Sequence, residues 1–213
     1  MLLAGLSAAG YVGWQYYGTD IIARSRQAEL RADLRATWTY PTVEDVLGPA
    51  ASSPPLGAPS ALVLIPSLGS DYAVPLIEGV RDQDLARGIG HFPGTGPGQI
   101  GNFALTGHQV SNGEAFGDLL DLRPGDEVII QTPDATYTYV LDTDPNDLQV
   151  PLTDNWVIDP VPVPPDGEGP PGVPKLEIDH PMIALITLTT GSEIFHTDDR
   201  TVAFGHLVKT EPR

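Results

Sequence analysis

Between residues 61 and 208 one pattern repeats: a short apolar or alternating run, a group of turn residues, then another run. The runs are Ala61–Ile65, Ala73–Ile77, Asn102–Thr106, Glu127–Gln131, Thr136–Leu141, Ile183–Leu188 and Thr201–Val208. β-Branched and aromatic residues are frequent in them, as a pleated, half-buried surface prefers. Arg123-Pro124-Gly125-Asp126 and Thr132-Pro133-Asp134 join a fixed φ to permissive residues and so reverse the chain. Only brief helical stretches fit between the runs, Asp82–Arg87 and Glu114–Leu120. With 23 Gly and 22 Pro, the composition favours turns over long helices. The expectation is an all-β fold, a sandwich or a closed barrel. Pro160–Pro174 carries seven prolines and reads as a stiff surface loop.

The segment before this pattern is different. Leu2 to Tyr17 carries no charged side chain, is mostly apolar and ends in Trp14, Tyr16 and Tyr17. It is slightly shorter than the ~20 residues that cross a bilayer, and the aromatic end suits a membrane interface. Residues 1–18 therefore read as a transmembrane signal anchor, truncated at its basic flank because no Lys or Arg precedes it. A buried N-terminal helix is the alternative. Asp20 can cap a helix running to Trp38, with Leu30, Leu34 and Trp38 on one face and Arg24, Arg26, Arg31 and Arg35 around the rest. This divides the chain into an anchor (1–18), a stalk helix (19–38), a Pro/Ala/Ser linker (39–60) and a folded domain (61–213).

Charge and cysteine content remove several classes of function. The net charge is −17, and from Pro41 onward seven Lys/Arg face twenty-five Asp/Glu. Such a surface repels phosphate backbones, so nucleic acid is not an expected partner. The absence of Cys excludes disulfides and thiolate zinc sites. None of the five histidines (His91, His108, His180, His196, His206) is spaced like the ligands of a zincin, and no EF-hand-like carboxylate spacing is present. No metal or cofactor is expected. His91, in a Gly/Pro-rich loop, reads as a loop-ordering hydrogen-bonder.

The more specific signal is a set of ordered motifs. Ile65-Pro66 and Val74-Pro75-Leu76-Ile77-Glu78-Gly79 come first. Gly90-His-Phe-Pro-Gly-Thr95, Gly101-Asn-Phe-Ala-Leu-Thr-Gly-His108 and Leu122-Arg-Pro-Gly-Asp126 follow. Ile186-Thr-Leu-Thr-Thr190, then Gly191-Ser192, and Arg200 at the opening of the last strand complete the set. In this order and spacing the chain resembles the sortases, in which a strand of the form T-L-T-T-C carries the nucleophile, and its overall look is that of the actinobacterial class E type. The resemblance implies a closed sortase-type β-barrel of about eight strands with short helices, preceded by the N-terminal anchor and stalk helix. It also implies a cysteine transpeptidase of the hydrolase class, held in the cell membrane of a Gram-positive bacterium by a single pass with its catalytic domain extracellular. Such an enzyme cleaves an LAXTG-like sorting signal between Thr and Gly and joins the protein to a cell-wall precursor or pilin amine. On this pattern His108 is the general acid and base, Arg200 the donor to the substrate carbonyl and developing oxyanion, and Thr189, Thr190 and Ser192 line the bound peptide. Taken without the resemblance, an ion pair with Asp198 or Asp199 would account for Arg200.

One position departs from the pattern. Gly191 occupies the place of the catalytic Cys. Thiolate attack needs a sulfur, and glycine has no side chain to offer. As written, the chain is expected to bind a sorting signal and leave it intact. A non-catalytic, signal-binding pseudoenzyme is the alternative reading of its function, and a serine hydrolase using Ser192 with His108 is a third. An engineered or accidental inactivation, a sequence error and a natural pseudoenzyme are the origins open to Gly191. Cys and Gly codons differ by one base and the rest of the motif set is intact, which favours a recent loss.

Overall fold

The computed structural model describes residues 19–39, 54–109, 113–165, 183–190 and 199–213. The expected anchor, most of the linker, residues 166–174 of the Pro-rich loop, Gly191 and Ser192 lie outside them. Among the described residues nine strands form: β1 (Pro59–Leu64), β2 (Ala73–Glu78), β3 (Ile89–His91), β4 (Gly101–Gly107), β5 (Glu127–Gln131), β6 (Ala135–Leu141), β7 (Gln149–Pro151), β8 (Ala184–Thr190) and β9 (Asp199–Pro212). Their order is β6-β5-β1-β2-β3-β4-β8-β9-β7, and a second pairing of β6 with β9 closes eight of them into a barrel. β7 stays outside the ring, paired only with the opening residues of β9.

The alternation of side chains along each strand sets the core. Phe103 and Leu105 of β4, Ile186 and Leu188 of β8, and Ala203 of β9 point into the barrel with Val63, Leu76, Val128 and Tyr139. A second, smaller apolar cluster of Leu148, Val150, Val157, Val202 and Phe204 lies on the other face of β9, with Trp156 stacked on Phe204 at 6.1 Å. The barrel wall near β9 is therefore covered on both sides.

All seven expected strands form, most of them longer than the runs that mark them. β3 and β7 are additions. Each is three residues long, too short to show a period, and β7 ends in a proline. The helix expected at Glu114–Leu120 is instead a series of turns and a 3₁₀ turn at Leu119–Asp121, because Glu114 takes a positive φ of 46°, outside the helical region. The second helical stretch is one turn, α2 (Asp82–Leu85).

Helix α1 (Thr19–Thr39) forms over the expected range, and it is packed against the barrel instead of standing free. Leu34 is buried and Leu30 and Trp38 are half-buried, and the same stripe continues to Gln27 and Ala23 by a three- and then a four-residue step. Arg24 pairs with Glu114 at 2.8 Å, Arg31 donates to the Ala73 carbonyl at 3.3 Å, and the Arg213 guanidinium lies 5.3 Å over the Trp38 ring. Among the described residues no helix is long and apolar enough to cross a membrane.

Candidate active site

Three neighbouring strands build the site. β4 and β8 run parallel in register from Gly101↔Ala184 to Gly107↔Thr190. β8 and β9 run antiparallel, with Thr189 opposite Val202. His108 follows directly after Gly107, and Arg200 lies two residues before Val202, so the two flank the C-terminal end of β8 from opposite sides. Neighbouring strands are about 4.8 Å apart, so both residues start from backbone beside that strand end. Thr190 is the last residue of β8, and Gly191 is bonded to it.

His108 is only 7% exposed, and its Nε2 has no hydrogen-bond partner among the described residues. Its backbone is fixed: the Phe116 amide donates to the His108 carbonyl at 2.9 Å. Gly107 permits this packing, because a Cβ there would come within 2.9 Å of the Phe116 ring. Burial pulls the imidazole below its ordinary pKa, since the charged form loses solvent, and the Asp82 carboxylate only partly opposes this. The resting ring is neutral at neutral pH, with a free nitrogen.

Arg200 is 5% exposed and shares the outer face of β9 with Val202 and Phe204. Its Nη2 donates to the Asp154 carbonyl at 2.7 Å and to the Leu152 carbonyl at 3.3 Å, while Nε has no partner among the described residues. Burial lowers its pKa and the Asp154 carboxylate raises it. A guanidinium stays charged under such shifts. The strand end thus carries a buried cation with a donor to spare beside a buried imidazole with a nitrogen to spare. Each of these nitrogens could meet an anion or a polarised carbonyl.

The other expected site residues fall differently. Thr189 is fully buried, and Thr190 is 4% exposed with its hydroxyl accepting from the Thr201 amide at 3.1 Å. That bond ties β8 to β9 one residue from Arg200. Ser192 and Gly191 are outside the described residues. His91 orders its loop: Nε2 donates to the Thr95 carbonyl at 3.0 Å, while Nδ1 meets the Glu78 carboxylate at 2.7 Å.

The motifs did not single out the segment from Leu152 to Asp159 or the residue that holds it. Asn102 is 3% exposed; its amide nitrogen donates to the Val157 and Asp159 carbonyls, both at 3.0 Å, and its oxygen accepts from the Thr187 hydroxyl at 2.7 Å. The available signal was an amide among the mostly apolar residues of β4, with a threonine, Thr187, on the neighbouring strand. Among the described residues no cluster of His, Asp and Glu could hold a metal ion.

Comparison with known proteins places this geometry. The sortase domain family model matches residues 63–208. Sortase SrtE1 of Streptomyces coelicolor is 28% identical over 95% of this chain, which spans about half (54%) of that relative's length. The structure of sortase E from Streptomyces avermitilis superposes with a TM-score of 0.60 at 34% identity, covering 75% of this chain and 93% of that one. Sortase E1 of Streptomyces coelicolor, solved with a tripeptide in the active site, superposes with a TM-score of 0.54 at 28% identity, covering 74% of this chain and 92% of that one. With a family model across the whole barrel and this likeness to sortase E structures, the chain belongs to the sortase family and is of the class E type.

Proposed function

We propose that the strand end flanked by His108 and Arg200 is a sorting-signal site of the transpeptidase type, and that Gly191 leaves it able to bind and unable to cleave. The observation that carries this is the pair of nitrogens without a partner among the described residues, one neutral and one cationic, on either side of the strand whose next residue is 191. Burying polar nitrogens without partners is costly, and a fold keeps such groups where a ligand completes them.

With a sulfur at 191, an LAXTG-like peptide would react in two balanced steps. The thiolate adds to the threonine carbonyl carbon, and Arg200 donates to the oxygen as charge develops on it. The Thr–Gly C–N bond breaks, and His108, which took its proton from the residue 191 thiol as the thiolate formed, gives that proton to the departing glycine amine. A cell-wall or pilin amine then adds to the thioester, returns a proton to His108 and expels the thiolate. In the chain as written the first bond has no atom to form from. Thr190 serves this site through its bond to Thr201, which holds the strand end.

In this reading the protein is held at the cell membrane through residues 1–18, with the barrel outside. Its partners are secreted proteins carrying the signal and the amine that receives them. Helix α1, ion-paired to the segment that follows His108, keeps the barrel oriented on that anchor. The non-catalytic alternative shares the same groove and differs only in whether residue 191 is the native one. The test is a labelled LAXTG-like peptide. The chain as it stands should bind it without cleavage, and Gly191→Cys should cleave it. A folded Gly191→Cys protein that neither binds nor cleaves overturns the reading. Labelling of the unsubstituted chain by a serine-directed fluorophosphonate would favour the Ser192 hydrolase instead.

A further inference from the structure

Arg200 stands near the start of β9, and a long side chain has several rotamers open to it, yet it is held in one. Its two recorded acceptors, the carbonyls of Leu152 and Asp154, belong to a non-regular segment between β7 and a 3₁₀ turn at Asn155–Ile158. Carbonyls in such a segment point reproducibly only if the segment itself is fixed. Two attachments fix it. At one end β7 pairs with β9, placing Val150 opposite Arg200 itself. At the other end Asn102 reaches out of β4 and takes the carbonyls of Val157 and Asp159 with its two amide hydrogens. These are carbonyls at the end of the 3₁₀ turn, where helical bonding leaves acceptors open. The Thr187 hydroxyl donates to Asn102 Oδ1 and so settles which way the amide faces. Asn102, Thr187 and Val157 are buried, so water does not compete for the bonds among these three.

We propose that Asn102 is a positioning residue for the reaction: it fixes the 152–159 segment so that the Leu152 and Asp154 carbonyls hold the Arg200 guanidinium with Nε free to meet the substrate carbonyl. Thr187 is its orienting partner. This rests on the reading of Arg200 as the oxyanion donor. The same strand that delivers His108 thereby also sets Arg200, six residues earlier and through a different segment. Both groups are then placed by β4, and their separation is set by the barrel frame instead of by the mobile substrate. A donor used mainly in the transition state is sensitive to small errors in placement, since a displacement of about 1 Å can cost on the order of 100-fold.

The experiment has a kinetic and a spectroscopic arm. On the Gly191→Cys background, Asn102→Leu should lower kcat for an LAXTG-like peptide by about 10- to 100-fold with KM within ~2-fold, because the lost interaction belongs to the transition state. Adding Asn102→Leu to Arg200→Ala should then cost little more, whereas a purely structural role would cost the same with or without Arg200. In the unsubstituted chain, the Arg200 Nε–H resonance should be protected from solvent exchange, and Asn102→Leu should remove that protection. Thr187→Val, a milder change, should shift both readouts in the same direction and keeps the test available if Asn102→Leu does not fold. An unchanged Nε–H resonance, or equal losses with and without Arg200, overturns the proposal. An inactive Gly191→Cys protein whose Nε–H still responds to Asn102→Leu counts against the catalytic reading and leaves the positioning network standing.

Discussion

A histidine that loses solvent without gaining a carboxylate at hydrogen-bond distance favours its neutral form, and His108 is in that position. Two consequences can be measured on the unsubstituted chain. Its imidazole should titrate below the ordinary value of about 6.5, and Asp82→Asn should lower the midpoint further by removing the opposing carboxylate. Titration followed by NMR reads both, and a midpoint above the ordinary value would contradict the account. The linkage follows in sign. The unfolded chain binds a proton at 108 more readily than the folded one, so this group favours folding fully above its unfolded pKa and loses that contribution as pH falls through the folded one. Unfolding free energy should therefore fall on acidification from pH ~7 to ~5, and fall less in His108→Gln, in a window above the carboxylate range. Arg200 is controlled by geometry rather than by titration. On the Gly191→Cys background, Arg200→Lys keeps the charge but gives up the planar fork that reaches the Leu152 and Asp154 carbonyls and the substrate together. Its kcat should fall by roughly 100-fold, the loss seen on removing an oxyanion donor, and an Arg200→Lys enzyme of full activity would remove the guanidinium from the mechanism.

Among the elements, α1 is the one whose sequence and structure differ most in meaning. The four-residue spacing of Leu30, Leu34 and Trp38 marks an apolar face, and the barrel is what that face meets. Its attachment combines a few buried side chains with exposed charge. The Arg24–Glu114 pair, open to solvent, contributes at most about 1 kcal/mol, whereas burial of Leu34 contributes about 2 kcal/mol. Leu34→Arg should therefore release the helix to limited proteolysis while the barrel keeps its strand circular dichroism, and Arg24→Ala should not. Cleavage rates equal to those of the unsubstituted chain would show the packing to be incidental. Within the barrel, Phe103 is fully buried between the His91 and Tyr139 rings, at centroid distances of 4.8 and 6.3 Å. Phe103→Ala should cost about 3–5 kcal/mol, read from denaturant unfolding, and a loss below ~1 kcal/mol would contradict a close-packed interior.

Over the whole molecule, the all-β class was legible because alternation and turn chemistry are local properties, readable in Glu127–Gln131 or Arg123–Asp126 without knowledge of the partner strands. Closure was not. It depends on β9 pairing with β8 through Val202 to His206 and with β6 through Gly205 to Pro212, a long-range choice that only the family resemblance anticipated. His108 and Arg200 were legible as motif positions, and the register shows why they belong together: a parallel and an antiparallel pairing bring residues 92 positions apart to the two sides of one strand end. The segment holding Arg200 was illegible because backbone carbonyls leave no mark in a sequence, and Asn102 alone hints at it. The central claim is that these two side chains serve position 191. Intact-mass analysis of the Gly191→Cys protein mixed with an LAXTG-like peptide, in the absence of an added amine, tests it most directly. The account predicts a mass increase equal to the acyl fragment ending in threonine, one water less than the free fragment, carried as a thioester on the residue 191 sulfur and lost on adding an amine. It predicts little or none when His108→Ala or Arg200→Ala is added. A thioester that forms equally well without His108 and Arg200, or a folded protein that forms none, would contradict it.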